Sequence, residues 1–128
     1  MTKLFLITLF LIFCMIQISA QQRNHREIYI FSTDADNASF INQKSIFLKD
    51  VTGLKERDIK IHEVLGLKAN EAVFKKYKVS AQDFTFVLVG KDGGEKLRSN
   101  CPITLQKLYA TIDAMPMRKA EMKQQGKP

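Results

Sequence analysis

The chain is poor in cysteine: among its 128 residues it holds only Cys14 and Cys101. Cys14 lies inside an apolar run, residues 4–18, which follows a single basic residue and ends just before two small ones. This pattern is typical of an export signal, and we predict cleavage after Ala20. Cys101 is then the only thiol left, which excludes an intramolecular disulfide and dithiol redox chemistry.

The export signal is the first of four segments that we predict along the chain. We predict an export signal (residues 1–20), a leader (21–26), one folded domain (27–116) and a basic C-terminal tail or helix (117–128). The apolar run is shorter than the ~20 residues that a bilayer-spanning helix needs, so no membrane span is expected after cleavage. Ile18 fits a strict small-x-small rule poorly, and an uncleaved N-terminal anchor is the alternative.

Histidine is as scarce as cysteine, with His25 and His62 alone, and tryptophan is absent. Metal centres and acid–base sites need further histidine, cysteine or carboxylate partners. His25 lies in the leader, and we interpret His62, on a strand predicted to be central, as a structural histidine. The chain also lacks a Gly-rich phosphate loop and a Ser/His/Asp set. We therefore expect no metal and no cofactor.

Positive charge prevails, with a formal net charge of +7 at pH 7. In a cytosolic protein this balance would indicate nucleic-acid binding. Here the basic residues are scattered, they do not alternate with aromatic side chains, and the export signal argues against a nucleic-acid partner. We expect a solvated basic surface, with contact to an anionic envelope component as the alternative. The partner that we expect for this protein is an unidentified protein or envelope component.

The strongest local pattern is residues 84–90, whose aromatic and β-branched side chains are typical of a strand buried on both faces. Asp92 and Gly93 follow, and Asp-Gly is a strong hairpin signal because glycine tolerates the positive φ of tight turns. Two earlier β-rich runs, residues 27–31 and 58–64, predict further strands. A helix between those two strands gives a βαβ unit with parallel pairing.

Helical patterns fill the gaps between the strands. The first helix is predicted from Phe40, with Gly53 at its end. Its predicted apolar stripe follows one helical face: Phe40, Ile41, Lys44, Phe47, Leu48 and Val51. Asn70 is expected to cap a short helix, and Thr104 a longer one that Pro116 ends. A last, separate basic helix is predicted after Pro116.

The order β-α-β-α-β-β-α, with a Lys-Asp-Gly turn joining the last two strands, resembles the thioredoxin fold. More narrowly, residues 91–99 and residues 112–118, which contain a Met-Pro-Met-Arg segment, look like a bacterial exported family known as domain of unknown function 4174. That family is related to a peroxiredoxin-like domain in vertebrate extracellular sushi-repeat and coiled-coil-domain proteins. The resemblance covers essentially the whole chain after the signal. It implies an α/β, thioredoxin-like fold with a central mixed sheet and a short C-terminal helix, in a periplasmic or extracellular protein, and supplies no catalytic residue.

In redox-active proteins of this fold the reactive cysteine sits where the first strand turns into its helix, since the helix dipole lowers the thiol pKa there. The matching residues here, 33–38, contain no cysteine. Carboxylates at Asp34 and Asp36 take that place, so we expect no thiol chemistry. Thr33, Asp34, Asp36 and Asn37 form a candidate small-ligand or cation site, although N-capping alone also explains them.

Cys101 precedes Pro102 near a helix start, a position that can favour the thiolate. Because it lies away from the usual reactive position, we interpret it as an incidental loop thiol. The sequence thus favours an exported, thioredoxin-like binding or interaction module without dithiol redox chemistry. One alternative is a one-cysteine peroxiredoxin-like oxidoreductase that uses Cys101; another is the ligand or cation site at the first strand–helix turn.

Overall fold

The computed structural model describes residues 2–3, 22–80 and 83–127. The predicted export signal, apart from residues 2–3, lies outside these residues, and so does Cys14. Over the described ranges, no helix has the length and apolar character needed to cross a bilayer.

Four strands form one mixed sheet: β1 (Arg26–Ser32), β2 (Ile59–Leu65), β3 (Thr85–Val89) and β4 (Glu95–Ser99). Their order across the sheet is β2-β1-β3-β4. β1 pairs in parallel with β2, whereas β3 runs antiparallel to both β1 and β4. A parallel pair needs a crossover between its strands, which the predicted βαβ unit supplies. The predicted α/β class with a mixed sheet is confirmed.

The central hairpin follows the sequence prediction. All five residues of β3 are buried, as expected for a strand covered on both faces. In the turn that follows, Gly90 N–H donates to the Gly94 carbonyl at 2.9 Å. Gly93 has a φ of +82°, a backbone conformation that would be strained for a residue with a side chain.

The described residues form five α-helices: α1 (Ala38–Leu48), α2 (Val51–Glu56), α3 (Glu71–Lys76), α4 (Leu105–Asp113) and α5 (Pro116–Gln124). Thr104 caps α4 as predicted, because its hydroxyl accepts a hydrogen bond from Lys107 N–H at 3.2 Å. Pro116 begins α5, a position where its missing N–H costs nothing. The predicted side-chain cap at Asn70 is wrong, since that side chain donates to the Leu65 carbonyl at 2.9 Å instead.

The single helix predicted from Phe40 to Gly53 is also wrong, because the chain forms two helices there and Gly53 lies inside the second. Asp50 caps α2 by accepting a hydrogen bond from Gly53 N–H at 2.9 Å. A Cβ atom on Gly53 would clash with the side chains of Asp50 and Tyr109. The glycine therefore permits the close packing of α2 against α4 and does not end a helix.

Both faces of the sheet are covered, since alternate residues of each strand point to opposite faces. The first face carries α1, α2, α4 and α5, and its main core residues are Ile28, Ile30, Phe40, Phe47, Leu54, Phe86, Leu88, Leu108 and Ile112. Of the five helices listed above, only the short helix α3 lies on the second face, whose core residues are Phe31, Val64, Phe74, Val87 and Val89. The second face is therefore less completely covered than the first.

Besides Lys44, three apolar members of the predicted stripe lie on the surface. Ile41 is 53% exposed, Leu48 76% and Val51 60%. The buried residues of α1 are spaced i, i+3 and i+7: Phe40, Gln43 and Phe47. The predicted stripe is thus too wide, because the side of α1 that meets the sheet is narrow and the chain turns into α2 before Val51 reaches it.

Candidate functional site

The carboxyl end of β1 meets the start of α1 at residues 33–37, named here the strand–helix corner. Asp34 Oδ1 accepts a hydrogen bond from Asp36 N–H at 3.0 Å. Asn37 is the N-cap of α1, and its Oδ1 accepts from Phe40 N–H at 3.1 Å. These hydrogen bonds are those of an Asx turn followed by a helix cap.

Thr33 connects the corner to the end of β2, since its carbonyl accepts a hydrogen bond from Gly66 N–H at 3.2 Å. Two of the oxygen atoms proposed as cation ligands, on Asp34 and Asn37, are thus engaged by backbone N–H groups. In the part of the chain that the structure describes, no three side chains of His, Cys, Asp or Glu are grouped so that they could hold a metal ion. The side chains of Asp34 and Asn37 thus stabilise the turn and the start of α1.

Cys101 lies at the same end of the sheet as the strand–helix corner. Near the end of β1, Phe31 pairs with Thr85, the first residue of β3. The next residue of β3 pairs with Ser99, the last of β4, so the loop that follows β4 begins at this end. Cys101 is exposed in that loop, and its backbone N–H donates to Ser99 Oγ at 3.0 Å.

The loop that carries Cys101 is fixed to α1 by a buried glutamine. Gln43 Nε2 donates to the Ile103 carbonyl at 3.0 Å, and Ile103 N–H donates to Gln43 Oε1 at 2.6 Å. Among residues 22–80 and 83–127, no basic side chain hydrogen-bonds to the Cys101 thiol. A reactive thiolate is stabilised by a nearby cation, by a metal or by the amino end of a helix.

The second face of the sheet holds a polar cluster that the sequence prediction missed. Tyr29 of β1 stacks on His62 of β2, with ring centroids 4.5 Å apart, and its ring lies 4.6 Å from that of Tyr77. Glu27 lies on the same face, with carboxylate oxygens 3.4 Å from the Tyr29 hydroxyl and 3.4 Å from His62 Nε2. Glu27, Tyr29, His62 and Tyr77 are named here the aromatic cluster.

His62 lies on the edge strand of the sheet, so its predicted place on a central strand is wrong. The two central strands are β1 and the later, more apolar β3. His62 Nε2 is buried and, although near Glu27, is not aligned for a hydrogen bond with it. Burial raises the pKa of the Tyr29 hydroxyl, and its interaction with Tyr77 raises it further. Tyr29 is therefore a protonated donor at neutral pH.

Beside the aromatic cluster lies an open cavity of about 390 Å³. Its lining includes Arg23, Lys60 and Lys76 together with Glu27 and Tyr29. Arg23 forms an ion pair with Glu27, whereas Lys60 and Lys76 are exposed. Three cations around one carboxylate give this part of the second face a positive charge.

At the amino end of β1, a group of charged residues joins α5 to the sheet. The group, named here the charged cluster, consists of Arg26, Arg57, Lys91, Asp113, Arg118 and Glu121. Glu121 accepts hydrogen bonds from Arg26 at 3.1 and 3.2 Å and from Lys91 at 2.7 Å. Asp113 accepts from Arg57 at 2.9 Å and from Arg118 at 3.2 Å.

The two carboxylates of the charged cluster are stabilised in their ionised form. Burial acts to raise the pKa of Asp113 and of Glu121, but hydrogen bonds from two cationic side chains outweigh it and lower each pKa. Arg26 and Arg118 are each only 1% exposed. Each of the two carboxylates of the cluster is thus paired with two cations. Buried charges that are paired in this way hold α5 against the sheet without leaving a charge unpaired.

Comparison with known proteins identifies the family. The family model described as "Domain of unknown function (DUF4174)" matches residues 17–121. The chain belongs to this family. Among curated proteins no match is found. A solved structure titled "Structure of a malarial protein" is similar, with 20% sequence identity and a TM-score of 0.55 over 70% of this chain and 96% of that one. At this identity the likeness shows the fold alone.

The DUF4174 match extends to Glu121 inside α5, so it includes the strand–helix corner, Cys101 and the whole charged cluster. The resemblance to DUF4174 that residues 91–99 and 112–118 indicated is confirmed. In the folded chain these two segments meet, because the first supplies Lys91 to the charged cluster and the second supplies Asp113 and Arg118.

Proposed function

We propose that this DUF4174 protein is an exported, thioredoxin-like domain that acts as a binding or interaction module without dithiol redox chemistry. A parallel βαβ unit followed by an antiparallel hairpin and a helix supports the thioredoxin-like topology. The strand order β2-β1-β3-β4 supports it too. The signal-like residues 1–20 support export to the periplasm or the extracellular space.

The observation that carries the proposal is the chemistry of the strand–helix corner. Where redox-active relatives of this fold hold a thiol, the chain places Asp34 and Asp36 in an Asx turn. A carboxylate at that point is no nucleophile for disulfide exchange, which needs a thiolate. With Cys14 removed by signal cleavage, no second thiol is left to resolve a mixed disulfide.

A partner is proposed because the second face offers surface that residues 22–80 and 83–127 leave open. The cavity beside the aromatic cluster is open, and exposed lysines border it. A positive surface of this kind attracts acidic partners and speeds their association. The proposed partner is a protein or an anionic component of the envelope.

The second candidate function is a one-cysteine peroxiredoxin-like oxidoreductase. One observation favours it: the loop with Cys101 begins at the same end of the sheet as the strand–helix corner. That function would need a cation beside the thiol, and neither Gln43 nor Ser99, which bind this loop, carries a charge.

Turnover assays separate the two candidates. We expect the purified protein and its Cys101→Ser variant to consume hydrogen peroxide in the presence of dithiothreitol at the same rate, equal to that of the reagents alone. Both are expected to leave insulin disulfides intact in a reduction assay. Peroxide consumption that wild-type protein catalyses and Cys101→Ser abolishes would replace the binding proposal with the oxidoreductase.

A further inference from the structure

The two edges of the sheet differ in how open they are to another strand. β4 is five residues long, carries Glu95, Lys96 and Arg98, and its register with β3 shifts between Leu88 and Val89. Short length, charge and irregular register are features by which edge strands resist pairing. β2 is seven residues long and keeps one unbroken register with β1. In the sheet formed by the described residues, no strand lies on its outer side.

Beside β2, the first two helices leave apolar side chains uncovered. Ile41, Leu48 and Val51 are the exposed residues described above, and they are named here the apolar flank. Lys44, one helical turn from both Ile41 and Leu48, has its Nζ 3.2 Å from Glu63 Oε2 of β2. Ile41 and Leu48, the part of the flank on α1, therefore lie beside β2, where the next strand of the sheet would place one row of side chains.

The opposite face of the same edge is positively charged. Lys60 projects from β2 beside Glu27 of β1, with which it is in register, and Lys76 and Arg23 line the same cavity. Because side chains alternate between the two faces of a strand, an added strand would direct one row toward the apolar flank. The other row would face Lys60 and Lys76, since Arg23 is paired with Glu27 and its backbone bonds to Lys91 beside the β3–β4 turn.

We propose that the outer edge of β2 binds an extended acidic segment of a partner protein as a fifth strand of the sheet. Its apolar side chains pack on the apolar flank, and its alternate carboxylates face Lys60 and Lys76. Main-chain hydrogen bonds to β2 provide affinity, and the alternating pattern provides specificity. The inference rests on the proposed binding role and gives the chemistry of the partner.

Charge and backbone hydrogen bonding together favour this occupant over two others, a second copy of the chain and an anionic lipid surface. Lys44, Lys49 and Lys55 border the apolar flank and are exposed, while Glu63 is paired with Lys44. A second copy of a chain with a net charge of +7 would bring like charges together along the edge. An anionic lipid surface would match the lysines, but it has no strand to pair with the N–H and C=O groups of β2.

Fluorescence polarisation tests the proposal with a labelled octapeptide of alternating valine and glutamate. We expect this peptide to bind and its valine–lysine counterpart not to bind. Methylating the backbone nitrogens on one edge of the valine–glutamate peptide should weaken binding at least ~tenfold, because those groups donate the strand–strand hydrogen bonds. Leu48→Glu and Lys60→Glu should each weaken it at least ~tenfold, since they place a carboxylate against the peptide. Lys107→Glu, the same charge change on α4, should leave it unchanged.

Three results would overturn the proposal: no binding of the valine–glutamate peptide, equal binding of the lysine peptide, or equal losses for Lys60→Glu and Lys107→Glu. Binding of phosphatidylglycerol vesicles without binding of the peptide would assign the flank to lipid and overturn it as well. None of these results changes peroxide turnover or insulin reduction, so a failure here is distinct from a failure of the non-redox proposal.

Discussion

The two ends of β1 use polar side chains in opposite ways. At the carboxyl end, the side chains of Asp34 and Asn37 in the strand–helix corner accept hydrogen bonds from near neighbours, Asp36 and Phe40. At the amino end, Arg26 reaches Glu121, 95 residues later in the chain. The corner is largely exposed to solvent, whereas the charged cluster surrounds two guanidinium groups that are almost fully buried.

This difference indicates where the fold is stabilised. Local hydrogen bonds shape a turn, but they do not hold distant elements together, so the corner contributes little to global stability. The charged cluster connects β1, α4 and α5, and its loss separates elements that are far apart in sequence. The end of β1 where the proposed thioredoxin-like fold would carry a reactive thiol is therefore the end where we expect substitutions to cost the least stability.

The largest expected effect comes from Arg118→Met in the charged cluster. The variant keeps the length of the side chain but removes the guanidinium from Asp113 and from the Glu56 carbonyl. Removing one partner of a buried ion pair costs ~3 kcal/mol of unfolding free energy. Urea unfolding followed by circular dichroism measures this loss. The neighbouring exposed Lys119→Met should cost less than ~0.5 kcal/mol, and equal losses would contradict the assigned role of Arg118.

The next effect concerns Gln43, whose buried side chain links α1 to the loop of Cys101 at the corner's end of the sheet. Gln43→Met leaves the N–H and C=O groups of Ile103 without their partner, 60 residues away. Unsatisfied buried groups of this kind cost ~2 kcal/mol. Thermal unfolding should show the loss for Gln43→Met and almost none for exposed Asn42→Ala. If Gln43→Met lowers the unfolding free energy as much as Arg118→Met does, the two ends of β1 contribute equally to stability, which contradicts the difference proposed above.

A smaller effect is expected within the strand–helix corner itself. Asn37→Ala removes the N-cap of α1 and should cost ~1 kcal/mol, whereas Asn37→Ser keeps a capping oxygen and should cost much less. Urea unfolding of the three proteins checks both values. If alanine and serine at residue 37 are equally stable, the side chain does not cap the helix and becomes available for a ligand.

The smallest effect is that of mild acid on the charged cluster. The pKa of Asp113 and that of Glu121 are lowered on folding from ordinary values of 3.8 and 4.5. Their stabilisation is thus fully present above those ordinary values and is lost as the pH falls through the folded-state pKa. Between pH 7 and pH 4 each carboxylate should lose less than ~1 kcal/mol, with a steeper loss below pH 4. Asp113→Asn should flatten that loss in urea titrations, and an unchanged slope would contradict the assignment.

Elements governed by local pattern were predictable from the sequence. The run of apolar and β-branched residues located β3, and the Asp-Gly pair located its hairpin. Thr104 located the start of α4. In each case the residues that determine the structure are neighbours in sequence, so the pattern is visible without the fold.

Elements governed by distant contacts were not predictable in this way. Gly53 belongs inside α2 because the Tyr109 hydroxyl, in another helix, packs beside it and donates to Asp50 at 3.0 Å. The aromatic cluster exists because the register of β1 and β2 places Tyr29 opposite His62. Cys101 and the strand–helix corner lie at the same end of the sheet. The sequence did not show this, because the two are far apart along the chain and only the pairing of the strands brings them to one end.

The reactivity of Cys101 tests the central claim most directly. The rate of its reaction with hydrogen peroxide is measured by mass spectrometry in the folded protein and in the same protein unfolded in urea at the same pH. We expect rates that agree within ~threefold, because no basic side chain among residues 22–80 and 83–127 hydrogen-bonds to the thiol. A folded protein that reacts ~100-fold faster than the unfolded chain would contradict it, since only a site built by the fold could produce that difference.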